Sequence, residues 1–265
     1  MHKIIVITGP TAVGKTKLSI ELAKKYDGEI INADAVQVYK GLDIGSAKVT
    51  EEEKEGIPHH LLDFKEVTEE YTIYHYQKDC REKIKDIQSR NKTPILVGGT
   101  GLYIKAALYD YKLSEEKSTN TYDNLTNEEL YEELKKLDKD IIIDKDNRRR
   151  LIRAINYYKE NNESINKNKT NKLLYNVIFI GLTTDRQVLY DKINKRVDEM
   201  ISQGLLEEVK SFYDKGIKSK PLLNAIGYRE LYNYLDGNCT KEEAIEKIKQ
   251  NSRHYAKRQY TFFNH

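Results

Sequence analysis

One segment of the sequence has the residue types and spacing of a phosphate-binding loop. Residues 9–16, GPTAVGKT, fit the pattern G-x-x-x-x-G-K-[ST]. Glycines in this pattern let successive backbone N–H groups turn toward an anion, and the following helix points its positive end at the same place. The lysine adds a charge, and the last hydroxyl can hold Mg²⁺. We therefore predict a phosphate or diphosphate site, with Thr16 as metal ligand, formed by Gly9, Pro10, Thr11, Ala12, Val13, Gly14, Lys15 and Thr16.

A carboxylate is expected beside this loop. Asp34 comes directly after an apolar run, IINA, which is typical of a buried strand. In a parallel sheet the carboxyl ends of neighbouring strands face one crevice, so Asp34 would lie near the bound phosphate. Taken alone, the aspartate is equally well explained as the N-cap of a helix or as a loop residue.

The elements that must position these groups alternate along the chain. The loop lies between a predicted strand at residues 3–8 and a predicted helix at 15–26. Further strands are predicted at residues 29–33, 93–97 and 177–182, and a helix at 71–90. Strands that alternate with helices indicate a parallel sheet covered on both faces. We therefore predict an α/β fold, a P-loop-type doubly wound parallel sheet.

The pattern changes between residues 112 and 172. Amphipathic helices are predicted at 128–137 and 148–159, and residues 161–172 (NNESINKNKTNK) form a polar connection. We interpret 112–172 as an inserted helical subdomain of a core made of residues 1–111 and 173–265. Four more helices are predicted in the core after the insertion, at residues 186–203, 204–215, 224–235 and 241–260.

Composition limits the class of protein. The chain has 265 residues, 38% of them hydrophobic, and a net charge of +3, so charge alone does not predict a nucleic-acid partner. No apolar run is long enough to span a bilayer, and the N-terminus lacks signal-peptide character. Cys80 and Cys239 lie far apart, which favours reduced thiols and a cytoplasmic protein without a membrane partner. His59 and His60 have no ligand partner at metal-binding spacing, so we expect them to be structural or loop residues.

Several segments, in order, resemble one enzyme family. They are residues 32–48 (NADAVQVYKGLDIGSAK), 59–63 (HHLLD), 97–103 (VGGTGLY), 148–154 (RRRLIRA), 185–200 (DRQVLYDKINKRVDEM), 226–230 (IGYRE) and 256–259 (AKRQ). Together with the loop they resemble the tRNA dimethylallyltransferases over nearly the whole chain. One departure is Ala35, where the family usually has serine.

The resemblance implies transfer of a dimethylallyl group from its diphosphate to the exocyclic amine of an adenosine beside the anticodon. It gives Asp34 the role of general base and Thr100 a catalytic contact to the reacting region. Arg196 and Thr11 would bind the diphosphate, and Mg²⁺ is the expected cofactor. The phosphate loop would then hold a leaving group, with no ATP hydrolysis. We expect a monomer.

The implied partner is the anticodon stem-loop of tRNA. Two basic segments, residues 148–153 and 247–258, favour contact with RNA phosphates, and Lys249, Arg253 and Lys257 fall on one helix face. The predicted RNA-binding residues are Ala35, Val36, Gln37, Arg149, Arg150, Leu151, Ile152, Arg153, Gln250, Asn251, Ser252, Arg253, His254 and Tyr255.

Three other functions use the same loop. An ATP-dependent kinase of small metabolites needs an acid at the end of an apolar strand, whereas residues 93–97 lead into glycines. A prenyltransferase acting on free adenine nucleotides would need no RNA surface. A nucleotide-gated RNA-binding switch would leave Asp34 without a chemical role. The two basic segments favour RNA over free nucleotides.

Overall fold

Five parallel strands form one sheet in the order β3-β2-β4-β1-β5. The computed structural model describes residues 3–113, 122–166 and 172–263. The strands are β1 (Ile4–Thr8), β2 (Gly28–Asn32), β3 (His59–His60), β4 (Thr93–Val97) and β5 (Val177–Gly181). The predicted α/β parallel sheet is confirmed.

The sheet is buried at its centre because helices cover both faces. All five residues of β1 are buried, and Ile4, Val6 and Ile7 are 0% exposed. Continuous apolar runs of this kind are typical of parallel strands that are covered on two sides. Ile20 and Ala23, from the helix that follows the phosphate loop, belong to the same buried cluster as Ile5 and Ile7 of β1.

Nine of the described helices begin in the unit that contains the sheet. They are α1 (Lys15–Lys25), α2 (Glu51–Lys54), α3 (Ile73–Ser89), α4 (Gly101–Leu108), α7 (Arg186–Ser202), α8 (Leu205–Tyr213), α9 (Lys220–Asn224), α10 (Tyr228–Leu235) and α11 (Lys241–Phe263). None of the helices in the described ranges is long and apolar enough to cross a membrane.

The helix predicted over residues 224–235 is present but begins four residues later than predicted. The chain forms α9, which ends at Asn224, and then α10, which begins at Tyr228. Gly227 between them has a φ of +98°, a backbone conformation that interrupts an α-helix. Helices α2 and α4 were not predicted. The first is a single turn held by a capping box between Thr50 and Glu53, too short for a periodic pattern.

The two histidines form the edge strand β3, paired with β2. His60 Nε2 lies 2.7 Å from the buried carboxylate of Glu29, which also accepts hydrogen bonds from Arg90. The Arg90 hydrogen bonds, above all, lower the pKa of Glu29 to about 2. Within the described ranges no group of three or more His, Cys, Asp or Glu side chains could hold a metal ion. Both histidines thus belong to the edge of the sheet, and His60 pairs with a buried carboxylate.

The second compact unit spans residues 108–174 and contains α5 (Asn127–Leu137) and α6 (Arg148–Asn161). The predicted insertion was 112–172. Thr126 starts α5 through a capping box with Glu129, and the two helices bury Leu130, Leu134 and Ile155 in a core of their own. Residues 114–121 and 167–171 lie outside the described residues, and the second range falls in the predicted polar connection.

Candidate active site

A cavity of about 1140 Å³ opens in the unit that contains the sheet. It lies at the carboxyl ends of β1, β2 and β4, the end of a parallel sheet where ligands bind. Its lining includes the phosphate loop, the residues that follow β2 and β4, and side chains from α7 and α11. The cavity is large enough to hold more than one small substrate group.

The phosphate loop depends on backbone conformations that favour glycine. Gly9 has a φ of +144°, and a Cβ atom there would lie 2.5 Å from the carbonyl oxygen of Leu182. Gly14 has a φ of +93° at the N-cap of α1. Between them Ala12 also has a positive φ, +65°. This path places the N-terminus of α1, with its unpaired N–H groups, at the cavity.

Lys15 lies folded across the loop. Its Nζ donates to the carbonyl oxygens of Gly9, at 3.0 Å, and Pro10, at 2.7 Å. Burial lowers its pKa to about 8, the charge of Asp34 opposes this shift, and the charge of Arg196 adds to it. The loop therefore carries a buried ammonium whose charged form a phosphate anion would stabilise.

Arg196 reaches the loop from α7. Its Nη1 donates to the Thr11 hydroxyl at 3.0 Å, and burial lowers the pKa of the guanidinium. The backbone N–H of Thr11 donates to Gln259 Oε1 at 3.2 Å, and Gln259 Nε2 donates to the carbonyl of Gly99 at 3.0 Å. The structure thus brings Arg196 to the phosphate loop, as predicted for the diphosphate site. Gln259, which was not predicted there, ties the same loop to Gly99.

Asp34 caps a turn and also lines the cavity. Its Oδ1 accepts from the backbone N–H groups of Val36, at 2.8 Å, and Gln37, at 3.4 Å. Asn32 holds the turn from the other side, because its Oδ1 accepts from the Asp34 N–H at 3.1 Å. Within the described part of the chain, no hydrogen bond reaches Asp34 Oδ2. The capping interpretation and the catalytic one therefore use different oxygens of the same carboxylate.

Thr100 connects the loops after β2 and β4. Its backbone N–H donates to the carbonyl of Ala33 at 3.1 Å, and its hydroxyl accepts from the N–H of Ala35 at 3.2 Å. Tyr255 of α11 also lines the cavity. Burial and the charge of Asp34 raise the pKa of Tyr255 to about 12, so this phenol is a neutral neighbour of the carboxylate.

Thr16 is suited to a magnesium ion held jointly with a phosphate. It is exposed, lines the cavity and lies in the first turn of α1, next to Lys15. Mg²⁺ usually takes one or two protein ligands and completes its shell with phosphate oxygens and water. A hydroxyl beside an anion-binding helix end fits that donor set.

The predicted RNA-binding residues of the core divide into three groups. One group lines the cavity: Ala35, Val36, Gln37, Asn251, Ser252 and Tyr255. Gln250 and His254 are exposed. In the third group the side chains engage α7, because Arg253 donates to Asn194 at 2.6 Å and Lys249 pairs with Asp198 at 2.8 Å. Of the three cations in the predicted stripe, Lys257 is exposed, whereas Lys249 and Arg253 are half-buried and engaged with α7.

The predicted RNA-binding residues of the second unit lie on α6. Arg149 and Arg150 are exposed at its start. Leu151 is 0% exposed and belongs to the core of that unit, so its side chain is not available to RNA. Ile152 packs partly against the same core, and Arg153 is half-buried.

Sequence reasoning missed two polar residues beside the cavity. Gln259 is only 5% exposed yet joins the phosphate loop to the loop after β4. Glu230 is also 5% exposed and accepts from Asn251 at 2.7 Å, which fixes one wall of the cavity. Both residues lie in segments 226–230 and 256–259, but their burial is a property of the structure and is not visible in the sequence.

Comparisons with known proteins identify the family of this chain. The profile of the IPP transferase family matches residues 37–265. The chain is 52% identical to the tRNA dimethylallyltransferase of Anoxybacillus flavithermus, over 99% of this chain and 87% of the relative. It resembles the crystal structure of the full-length tRNA isopentenylpyrophosphate transferase of Bacillus halodurans, with a TM-score of 0.77, 44% identity, and coverage of 100% and 87%.

A further similarity is to a structure described as a eukaryotic dimethylallyltransferase acting on tRNA. The TM-score is 0.89 at 33% identity, covering 98% of this chain and 69% of that one. These similarities cover nearly the whole chain, including the sheet and the inserted helices. The chain belongs to the IPP transferase family.

Proposed function

We propose that the protein is a tRNA dimethylallyltransferase acting as a monomer. It transfers the dimethylallyl group of dimethylallyl diphosphate to the exocyclic amine of the adenosine adjacent to the tRNA anticodon, and diphosphate is released. The family membership supports this activity, and the similar proteins are a tRNA dimethylallyltransferase and a dimethylallyltransferase that acts on tRNA.

A single observation carries the proposal. One cavity is lined both by a phosphate-binding loop, with Lys15 and Arg196, and by the carboxylate of Asp34 beside Thr100. A leaving-group site and a proton acceptor therefore face the same space. An amine and an allylic diphosphate that enter from opposite sides would meet between them.

The chemistry requires a base because an aryl-type amine is a weak nucleophile. As the new C–N bond forms, the allylic C–O bond breaks and its electron pair leaves with the diphosphate. The amine loses one proton, which Asp34 Oδ2 accepts. General-base catalysis of this kind contributes about 10²–10⁴-fold to a rate. Val36 and Gln37 hold Oδ1 and so orient the other oxygen.

The phosphate loop stabilises the leaving diphosphate. The N-terminus of α1, Lys15 and Arg196 offer fixed donors where negative charge develops, and burial strengthens their interactions. Thr11 holds the guanidinium toward the loop. When bound at Thr16, Mg²⁺ would neutralise part of the diphosphate charge.

The tRNA would be held by the loop after Asp34, by α11 residues such as Ser252, and by Arg149 and Arg150 of the inserted unit. The target adenosine must leave its stack to reach the cavity, which a base in a single-stranded loop does at low energetic cost.

The activity is tested by nucleoside analysis. The protein is incubated with unmodified tRNA, dimethylallyl diphosphate and Mg²⁺, and the digested nucleosides are examined by mass spectrometry. A new dimethylallyladenosine supports the proposal. ADP formed from ATP with a phosphorylated product would indicate a kinase, and prenylation of free AMP in preference to tRNA would indicate a nucleotide prenyltransferase.

A further inference from the structure

Three consecutive backbone N–H groups converge on one carboxylate that does not itself line the cavity. Glu208 of α8 accepts from Asp43 at 3.2 Å and from Ile44 at 2.8 Å with Oε2, and from Gly45 at 3.2 Å with Oε1. These residues belong to the segment 43–48, DIGSAK, which is separated from Glu208 by about 160 positions in sequence. A carboxylate that accepts several backbone N–H bonds forms a strong, oriented contact.

Tyr228 completes this arrangement. Its hydroxyl donates to the same Oε1 of Glu208, its side chain is 0% exposed, and burial raises its pKa. A Cβ atom on Gly45 would lie 2.5 Å from the Tyr228 ring, so only glycine permits this approach. We refer to Glu208, Tyr228 and the backbone of residues 43–45 as the Glu208 clamp.

The clamp is connected to the acceptor side of the cavity through one side chain. The next two carbonyls, of Ser46 and Ala47, accept from Gln37 Nε2 at 3.0 and 3.3 Å. The backbone N–H of Gln37 donates to Asp34 Oδ1. Gly45, Ser46, Ala47 and Gln37 all line the cavity. A chain of contacts thus runs from Glu208 to Asp34.

We infer that Glu208 is a positioning residue for the RNA acceptor, acting through segment 43–47 and Gln37, with no contact to either substrate. The inference rests on the proposed function. Lys15, Thr11 and Arg196, which face the donor, are held by contacts that do not include Glu208. The clamp therefore holds in place the cavity wall that an adenosine would contact. It makes no contact with the residues of the diphosphate site.

The kinetic test compares Glu208→Gln with Glu207→Gln. Glutamine keeps the size of the side chain but has one acceptor oxygen, so it cannot satisfy all four donors. Loss of a charge-assisted hydrogen bond predicts about a tenfold fall in kcat/KM for tRNA, with the KM for dimethylallyl diphosphate unchanged. Glu207 is exposed on the same helix, and its variant should behave as wild type. Equal loss for both substrates would indicate general damage and overturn the inference.

A double-mutant cycle with Gln37→Ala tests the route. If Glu208 acts through Gln37, the combined loss should be smaller than the product of the two single losses. Independent, multiplicative effects would contradict that route.

Hydrogen exchange measured by mass spectrometry gives a readout that does not need activity. In Glu208→Gln, peptides that cover residues 42–48 should exchange faster, while those of β1 and α1 should match wild type. Unchanged protection at residues 43–45 would overturn the inference even if the enzyme is active. If the wild type shows no prenyl transfer, but residues 43–45 exchange faster in Glu208→Gln than in the wild type, the result counts against the proposed function and not against the clamp.

Discussion

Arg196 Nη1 donates a hydrogen bond of 3.0 Å to Thr11 Oγ1, across 185 positions of sequence. The contact joins α7 to the phosphate loop, so the arginine and the loop form one preassembled anion site. Both groups line the cavity and Arg196 is largely removed from water, where its interaction with a diphosphate is strong. Binding of the diphosphate substrate at this anion site can therefore be tested separately from binding of the tRNA.

Arg196→Lys should weaken donor binding. Lysine keeps the charge but loses the planar fork that binds phosphate oxygens and Thr11 together. We expect the KM for dimethylallyl diphosphate to rise about tenfold or more, with the KM for tRNA nearly unchanged. Steady-state kinetics with each substrate varied in turn will measure this. The matched control is Lys195→Ala at an exposed neighbouring position, and equal effects at the two positions would refute a specific role.

Donor binding should depend on pH through Lys15. Its pKa in the free protein is about 8, lowered by burial, so the side chain is charged below pH 8 and neutral above it. A diphosphate favours the charged form, and affinity should fall by up to about tenfold per pH unit above 8. Calorimetric titration of dimethylallyl diphosphate over this range will test the prediction.

Lys15→Arg is the control for this titration, because arginine stays charged throughout. Its affinity should lack the fall above pH 8. The same slope in wild type and variant would show that the titrating group is not Lys15.

The sequence predicts the type of sheet and the positions of its longer strands, but not every element. Buried runs such as residues 4–7 identify strands of a parallel sheet, and four of the five were found within one or two residues. Strand β3 has only two residues and no pattern of its own, because pairing with β2 creates it. The break at Gly227 was missed since an apolar periodic pattern continues on both sides of it.

Gly98→Ala should destabilise the protein. A Cβ atom there would lie 2.2 Å from the carbonyl oxygen of Ala33, which is backbone and cannot rotate away. The ends of β2 and β4 would have to separate, at a cost of about 1–3 kcal/mol in the free energy of unfolding. Urea denaturation will measure it. At Gly181 a Cβ atom would meet nothing within 4 Å, so Gly181→Ala should be near neutral, and equal losses would contradict the packing argument.

The parts of the site that are marked by a short, local sequence pattern could be predicted. The phosphate loop and Asp34 follow from residue types next to apolar strands. Gln259 and Glu208 could not be assigned, because a lone polar residue on a helix looks the same whether it faces water or a distant loop. Helical spacing predicts that Lys249 and Arg253 share one face of α11. It does not predict that Asp198 and Asn194 of α7 lie against that face and bind these two side chains.

Arg149→Ala with Arg150→Ala should weaken tRNA binding. Both side chains are exposed at the start of α6. If each contacts a phosphate, the slope of log affinity against log salt should decrease by about 0.7–0.9 per arginine. Filter binding over a range of salt will measure the slope, with Lys136→Ala as an exposed control in the same unit. Parallel salt plots for the double variant and wild type would show that these arginines only face solvent.

The central claim concerns Asp34, whose Oδ1 is held by the N–H groups of Val36 and Gln37. Asp34→Asn keeps the size of the side chain and its capping oxygen but removes the basicity that accepts the amine proton. Single-turnover kinetics at saturating tRNA and dimethylallyl diphosphate, with both affinities measured on the same variant, tests this directly. The account predicts a chemical step slower by about 10²–10⁴-fold with both substrates still bound. Prenyl transfer at close to the wild-type rate would contradict it.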